Sequence, residues 1–195
     1  MKILPNKLAT LIGVSEDQLV LHIPKALSAI RVYTNRLFLT PVHFGGRINV
    51  TTSGITIDAD VSQIHPGDVI ELLLSNFNTE LLIVESVEDN TITVYNSETL
   101  GTETFDGYIV KVHFGISVSI LINMIKYDLV TSSKLGVKSE SLEGYSYTLN
   151  TDQADTVGGY PITILAALQN IKQMPGNESR EYRRVGLPIS IPLYG

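Results

Sequence analysis

Near both ends of the chain, apolar residues recur with the spacing of amphipathic helices. Pro5–Ile12 predicts a short helix that ends at Gly13. Ser15 begins a capping box that Gln18 completes, so a second helix is expected to start there. Its apolar face is formed by Leu19, Ile23, Leu27 and Ile30. Pro24 lacks an N–H donor, and we therefore expect it to kink or split this helix.

After Arg36 the apolar pattern changes to a period of two, which is typical of strands. Turn residues separate the segments, with Ser53-Gly54 and Glu88-Asp89-Asn90 as the clearest hairpin signals. The predicted strands are Arg47–Thr51, Ile55–Asp58, Val69–Leu74, Glu80–Val87, Thr91–Tyr95 and Gly107–Phe114. Short strands in this number predict a small barrel or sandwich, either SH3-like or OB-like.

Helical spacing returns at Ile116–Val130, which is apolar over so wide an arc that we expect burial on several sides. Its apolar run, Ile116–Ile125, is too short to span a bilayer, so no membrane association is expected. Pro161 occupies a favoured first-turn position of the last predicted helix, which ends before Pro175. The apolar face of that helix consists of Ile164, Leu165, Leu168 and Ile171.

Charge divides the chain into two parts of different character. Residues Leu37–Phe114 contain 11 acidic and 2 basic residues, whereas the remaining residues carry 9 acidic and 12 basic ones. Phosphate binding needs lysine and arginine, so the central part is a poor candidate for binding DNA. We therefore predict an α+β chain with three units: a bundle of three to four helices (1–36 and 115–176), an inserted acidic β domain (37–114) and an extended C-terminal arm (177–195).

The arm is predicted because Glu178–Gly195 has neither a helical nor a cleanly alternating pattern, yet is rich in apolar residues. Such residues need a partner surface, which we expect elsewhere, for example at the sheet edge of a neighbouring molecule. The candidate interface residues are Arg183, Arg184, Val185, Leu187, Ile189, Ile191, Leu193 and Tyr194. The alternative is that this segment folds back over the chain's own core.

Candidate chemistry is sparse. There is no cysteine, and the four histidines lack metal-ligand spacing, so no metal or cofactor is predicted. The polar segment Lys134–Leu149, KLGVKSESLEGYSYTL, lies between two apolar helices. Within it, Ser139, Glu140 and Ser141 are candidates for a nucleophile beside a carboxylate or, as we favour, for a structured turn. Tyr145 and Tyr147 share one side of any strand there, where they either pack or form a subunit contact.

The order of these segments resembles that of the head–tail connector (adaptor) proteins of tailed bacteriophages. The similarity consists of an apolar helix, the Gly136–Ser141 segment, the Gly144-Tyr145-Ser146 turn, and Tyr160-Pro161 opening a helix. The first helix of that family is similar to the second predicted helix of this chain, which ends with the sequence Ala29-Ile30-Arg31-Val32-Tyr33-Thr34-Asn35-Arg36. The inserted β domain departs from compact members, which connect the first two helices almost directly.

This resemblance implies a non-enzymatic structural protein of the virion neck, assembled in the host cytoplasm. It would form a ring, typically of twelve copies, that docks on the portal protein and leads to the stopper or a tail component. DNA would pass through its channel without specific binding, and the C-terminal arm would reach the portal or a neighbouring subunit.

Two other functions follow from the residues themselves. The acidic β domain could instead recognise a basic protein partner, with the helices as its support. A hydrolase that uses Ser139 or Ser141 with Glu140 is the third hypothesis, but no histidine or oxyanion-hole motif accompanies these residues.

Overall fold

The computed structural model describes residues 2–133, 139–142, 145–148, 156–174 and 178–187. Within these ranges the chain is α+β, as predicted, with a closed six-stranded antiparallel barrel and five α-helices. The helices are α1 (Pro5–Ile12), α2 (Glu16–Thr34), α3 (Val118–Ser133), α4 (Ile162–Leu165) and α5 (Glu178–Arg184). The barrel strands are β1 (Leu39–Thr51), β2 (Gly54–Ile57), β3 (Val69–Leu73), β4 (Leu82–Glu88), β5 (Thr91–Val94) and β6 (Glu103–Val112).

The barrel closes through its longest strand. β1 pairs with β2 on one side and β6 on the other, and the complete order is β1-β2-β5-β4-β3-β6. The β1–β2 register places Ile48 opposite Ile57 and Val50 opposite Ile55, and all four side chains are buried. Closure gives every barrel strand two neighbours, although residues 39–47 of β1 pair with β6 alone.

Strand β3 separates two hydrophobic cores. Ile70 and Leu72 point into the barrel interior, whereas Val69 and Leu73 contribute to the core beneath the helices. This division follows from the strand period of two, because successive side chains lie on opposite faces. A strand that is buried on both faces needs an almost continuous run of apolar residues. The sequence of β3 is Val-Ile-Glu-Leu-Leu, in which Glu71 is the one residue that is not apolar.

Helix α2 is the centre of the helical core. Leu19, Ile23 and Ile30 lie on its buried face and are fully enclosed. They pack in one cluster with Leu121 and Met124 from α3 and with residues of α4, α5 and the outer barrel wall. The helices are therefore packed directly on the barrel through a shared core.

Several local predictions need correction. Ser15 is the N-cap of α2, but its side chain makes no capping hydrogen bond, and Pro24 does not split the helix. The strand preceding Thr51 begins eight residues earlier than predicted, at Leu39. The last predicted helix is a four-residue α4 followed by the 3-10 helix Ala166–Ile171.

Two small sheets complete the described fold. β7 (Ser139–Leu142) and β8 (Tyr145–Thr148) form an antiparallel pair, and β9 (Thr156–Val157) pairs with β10 (Tyr160–Pro161). A short 3-10 helix, Ser97–Thr99, connects β5 to β6. Within the described ranges, no helix has the length and apolar character that crossing a membrane requires.

Candidate functional site

The start of the predicted arm is folded and partly buried. Residues Glu178–Arg184 form α5, and Val185 and Leu187 are each only 4% exposed in the helical core. The prediction that these two residues offer an extended interface is therefore wrong for the isolated chain. Arg183 and Arg184 are exposed and stay available for contacts. Ile189, Ile191, Leu193 and Tyr194 lie outside the described residues.

Helix α5 is held by both its backbone and Glu181. The N–H groups of Gly186 and Leu187 donate to the carbonyl oxygens of Arg183 and Tyr182, at 3.1 and 3.0 Å. With Gly186 at φ +75°, this is the Schellman arrangement that ends a helix. Buried Glu181 accepts a hydrogen bond from the backbone N–H of Leu37. The sequence signal for this helix end is Gly186, two residues after the basic last turn of Arg183 and Arg184.

The KSESLEGYSYTL segment contains a β-hairpin in place of the predicted structured turn. Ser139 pairs with Thr148, and Glu140 with Tyr147. Ser141 pairs with Ser146 and Leu142 with Tyr145, so the segment's two candidate tyrosines are alternate residues of β8. This places Ser139, Ser141 and both tyrosines on one short two-stranded element. Sequence reasoning missed the hairpin because neither strand has an apolar face that alternates clearly.

A buried polar cluster centred on Asp128 connects three segments of the fold. Asp128, on α3, is 4% exposed, and its Oδ1 accepts a hydrogen bond of 2.6 Å from Lys25 Nζ on α2. Its Oδ2 accepts a hydrogen bond from the hydroxyl of Tyr160 on β10 and lies 3.4 Å from His22 Nδ1. In the chain, β7 and β8 lie between Asp128 and Tyr160.

The environment of Tyr160 strongly favours its neutral form. The side chain is fully buried, and burial raises the pKa of its phenol well above the usual value; the hydrogen bond to the Asp128 carboxylate raises it further. A phenol that stays protonated is a permanent donor to Asp128. This cluster therefore links α2, α3 and β10.

One side of α2 forms the floor of a surface groove of about 570 Å³, which we call the α2 groove. Leu21, Lys25, Ser28 and Val32 lie on this exposed face of the helix. Leu21 and Val32 are 66% and 67% exposed. The walls come from residues 80–83 and from Tyr95, Asn96, Thr99 and Gly158.

The loop after β3 presents a single aromatic residue on a fixed backbone. Phe77 is 71% exposed, while the neighbouring Ser75 and Asn78 are buried. The Ser75 hydroxyl and Asn78 Nδ2 both donate to Oε1 of Glu103, and Asn78 also bonds to the backbone of Gly101. Partial burial acts to raise the pKa of Glu103. The hydrogen bonds that its carboxylate accepts have the larger combined effect, so the pKa lies below its usual value.

The barrel exposes mostly negative charge. Two of its buried carboxylates have cationic partners, since Asp68 lies 2.7 Å from Lys111 Nζ and Glu71 bonds to Arg31. The exposed carboxylates are those of Asp58, Asp60, Glu80, Glu85, Glu88, Asp89, Glu98 and Asp106. Arg47 is the single exposed cationic residue between residues 37 and 114, all of which the structure describes.

No group of three or more histidine and carboxylate side chains suited to a metal ion occurs among the described residues. The strongest arrangements of the described chain are therefore surfaces: the α2 groove, the Phe77 loop and the acidic barrel exterior. Comparison of the chain with protein-family models, with curated proteins and with solved structures finds no match.

Proposed function

We propose that this chain is a structural protein of a tailed-bacteriophage neck, where a ring of copies docks on the portal and leads to the stopper or tail. The observation that carries the proposal is the order of the elements around the hairpin. Apolar α3 leads into the β7–β8 hairpin, and the chain then returns through Tyr160-Pro161 into α4. This is the order that the resemblance to connector proteins implies.

The packing of these elements supports a role in assembly. α2, α3 and α4 share one core, and the Asp128 cluster joins α3 to β10, the elements that lie before and after the hairpin in the chain. The hairpin lies between these two joined elements in the chain, which suits it to a contact between neighbouring subunits. In this proposal the acidic barrel lies at the periphery of the ring, away from the DNA channel.

The corrected position of the arm changes the test. Deletion from Arg183 would remove Val185 and Leu187 from the core. A loss of portal binding could then result from unfolding of the chain rather than from loss of a contact. The informative truncation ends the chain at Leu187. Full-length and truncated chains would each be co-expressed with the portal protein of the same phage, and the complexes imaged by electron cryomicroscopy.

The full chain is expected to form a portal-bound ring with about the twelve copies that the resemblance implies, whereas the truncated chain stays folded and binds portal weakly or not at all. Tyr147→Ala is the companion variant, expected to weaken ring formation while leaving the thermal midpoint of unfolding unchanged. Failure of the full chain to bind the portal or to form a ring would refute the proposed function.

A second function is favoured by one specific observation: the barrel unit exposes many carboxylates and one large aromatic side chain, Phe77. In this alternative the barrel binds a basic protein, with Phe77 as an aromatic anchor and the carboxylates as steering charges. Phe77→Ala should then abolish partner binding without a change in ring formation. Loss of the ring with retained partner binding would favour the connector role instead.

A further inference from the structure

The floor of the α2 groove has the residue spacing of a helix-packing surface. Its four exposed residues are Leu21, Lys25, Ser28 and Val32. They occupy positions i, i+4, i+7 and i+11 of α2, so they form one stripe that is about 16 Å long. The two large apolar residues lie at the ends of the stripe and the small Ser28 lies between them. A side chain that projects from another helix fits over such a low point.

The surroundings of this stripe are acidic. Glu80 lines the groove, and Tyr95 lines it on the same wall. Burial raises the pKa of Tyr95, and the neighbouring carboxylates of Glu16 and Glu85 raise it further. Three carboxylates therefore lie in or beside the groove.

The one cation among the lining residues is already compensated. Lys25 Nζ lies 2.6 Å from an oxygen of buried Asp128. Glu80 has no ion-pair partner in the described part of the chain. An occupant that matches the groove therefore combines an apolar side chain with positive charge.

The same surface of a second copy is not a suitable occupant. α2 forms the floor of a concave surface, and residues 80–83 and Tyr95 form part of its walls. If two such grooves faced each other, their walls would meet before the two floors came into contact. The occupant must be an element that projects from its own molecule.

Helix α1 has the required combination of apolar surface and positive charge. Leu11 is 66% exposed, and the exposed Lys7 lies one turn earlier on the same side of the helix. Residues 2–14 contain two lysines and no acidic residue. On the other side of α1, Leu8 and Ala9 are buried in the helical core, which holds the helix in place. Its eight residues span about 12 Å, so α1 fits within the length of the floor.

Helix α3 is the main alternative among the described elements. Lys126 and Val130 are also exposed and one turn apart. However, Val130 is 49% exposed, compared with 66% for the larger Leu11, so α3 has less apolar surface to bury against a partner. The comparison favours α1.

We propose that the α2 groove binds helix α1 of a neighbouring copy of the chain, with Leu11 over Ser28 and Lys7 beside Glu80. Because α1 and the groove are different surfaces, the contact is heterologous, and its repetition produces a ring where the rotation closes. The inference rests on the proposed function and names one contact of the ring.

The absence of cysteine from the chain allows a direct test by disulfide trapping. Two full-length single variants are mixed without portal: Ser28→Cys marks the groove floor, and Thr10→Cys marks α1 next to the intact Leu11. Both positions are exposed, and both side chains are close to cysteine in size. Diamide oxidises the thiols, and mass spectrometry follows the mixed disulfide separately from the two symmetric ones. This disulfide should form about tenfold faster than the one between Ser28→Cys and the control Asn123→Cys on α3.

Charge reversal tests the orientation of the contact. Lys7→Glu on the α1 variant, or Glu80→Lys on the groove variant, should each slow the mixed disulfide about threefold. The two reversals together should restore the rate, because they exchange the charges of one pair. Glu88→Lys is the matched control, since Glu88 is exposed but does not line the groove. The rate of each thiol with a soluble aromatic disulfide corrects for changes in its own reactivity.

Equal rates for the Thr10 and Asn123 mixtures would overturn the proposal, and a faster Asn123 reaction would assign the groove to α3. Dominance of the symmetric Ser28 disulfide would overturn it in favour of two facing grooves. Portal binding is measured separately. Trapping without portal binding would keep the contact between copies and refute the neck role, whereas a portal-bound ring without trapping would keep the neck role and refute the contact.

Discussion

Arg31 and Glu71 form an ion pair with two parallel hydrogen bonds that joins α2 to β3. The Nη1–Oε1 and Nη2–Oε2 distances are 2.8 and 2.9 Å. The side chains are only 14% and 10% exposed, so the pair lies at the boundary between the helical core and the barrel wall. This pairing explains how a carboxylate is tolerated in the buried β3 strand, since each charge compensates the other.

Glu71→Gln should lower the free energy of unfolding by about 3 kcal/mol, because it leaves the Arg31 guanidinium largely buried without a counter-charge. Urea denaturation followed by circular dichroism measures this change. Arg47→Gln removes an exposed cation of the same barrel and should stay within about 0.5 kcal/mol of the unmodified chain. Similar free energies of unfolding for the two variants would mean that the Arg31–Glu71 pair contributes little to the stability of the contact between α2 and β3.

Tyr160→Phe should lower the free energy of unfolding by about 1–2 kcal/mol at neutral pH, because Asp128 loses a buried donor. It should also change the pH dependence. The folded pKa of Tyr160 is raised above its usual value near 10, so the stabilisation is complete below pH 10 and is lost as the pH rises through the folded pKa.

Denaturation curves between about pH 9 and 11 would therefore fall more steeply for the unmodified chain than for Tyr160→Phe. In this pH range the Tyr160 phenol is deprotonated in the unfolded chain but still protonated in the folded chain. The variant has no such phenol, so this contribution to the slope is absent. Parallel curves for the two proteins would show that Tyr160 titrates equally in the folded and unfolded chains, contrary to its buried position.

Gly107→Ala should destabilise the barrel by about 1–3 kcal/mol. A Cβ atom at this position would lie 2.5 Å from the carbonyl oxygen of Leu73 and 2.6 Å from the Phe105 ring, so backbone would have to move. Gly115→Ala is a matched control, since its Cβ would have no atom within 4 Å. Thermal unfolding of the two variants should differ by several degrees, and equal midpoints would contradict the close strand approach.

Leu187→Ala should cost about 2–3 kcal/mol of unfolding free energy, because the side chain is buried against the helical core. Leu11→Ala truncates a leucine that is 66% exposed and should cost far less. Chemical denaturation of both variants distinguishes a packed C-terminal helix from a detached arm. If Leu187→Ala left the free energy of unfolding unchanged, the interpretation of this residue as part of an extended interface would be restored.

Local patterns were sufficient for the elements whose apolar period is regular. Pro5–Ile12 and the strand from Val69 were located almost to the residue, because spacing and turn residues agree there. The first half of β1 was missed. Its Val-His-Phe-Gly-Gly sequence has no clear alternation, and the strand depends on pairing with β6 more than sixty residues away.

The polar groups that organise the site were beyond the reach of local patterns. Lys25 and Asp128 are 103 residues apart, and Arg31 and Glu71 are 40 apart, so their pairing depends on the tertiary fold. The C-terminal helix is a different case. Gly186 shortly after two arginines is a recognisable helix stop, whereas the two prolines beyond it favour an extended segment.

The two-faced burial of β3 also bears on how the molecule unfolds. Its odd and even residues belong to different cores, so loss of either core exposes one face of the same strand. The barrel and the helices should accordingly melt in a single cooperative transition. In a fragment restricted to residues 37–114, Val69, Leu73 and Val110 would be exposed to water. The barrel therefore depends on the helices to cover one of its apolar surfaces.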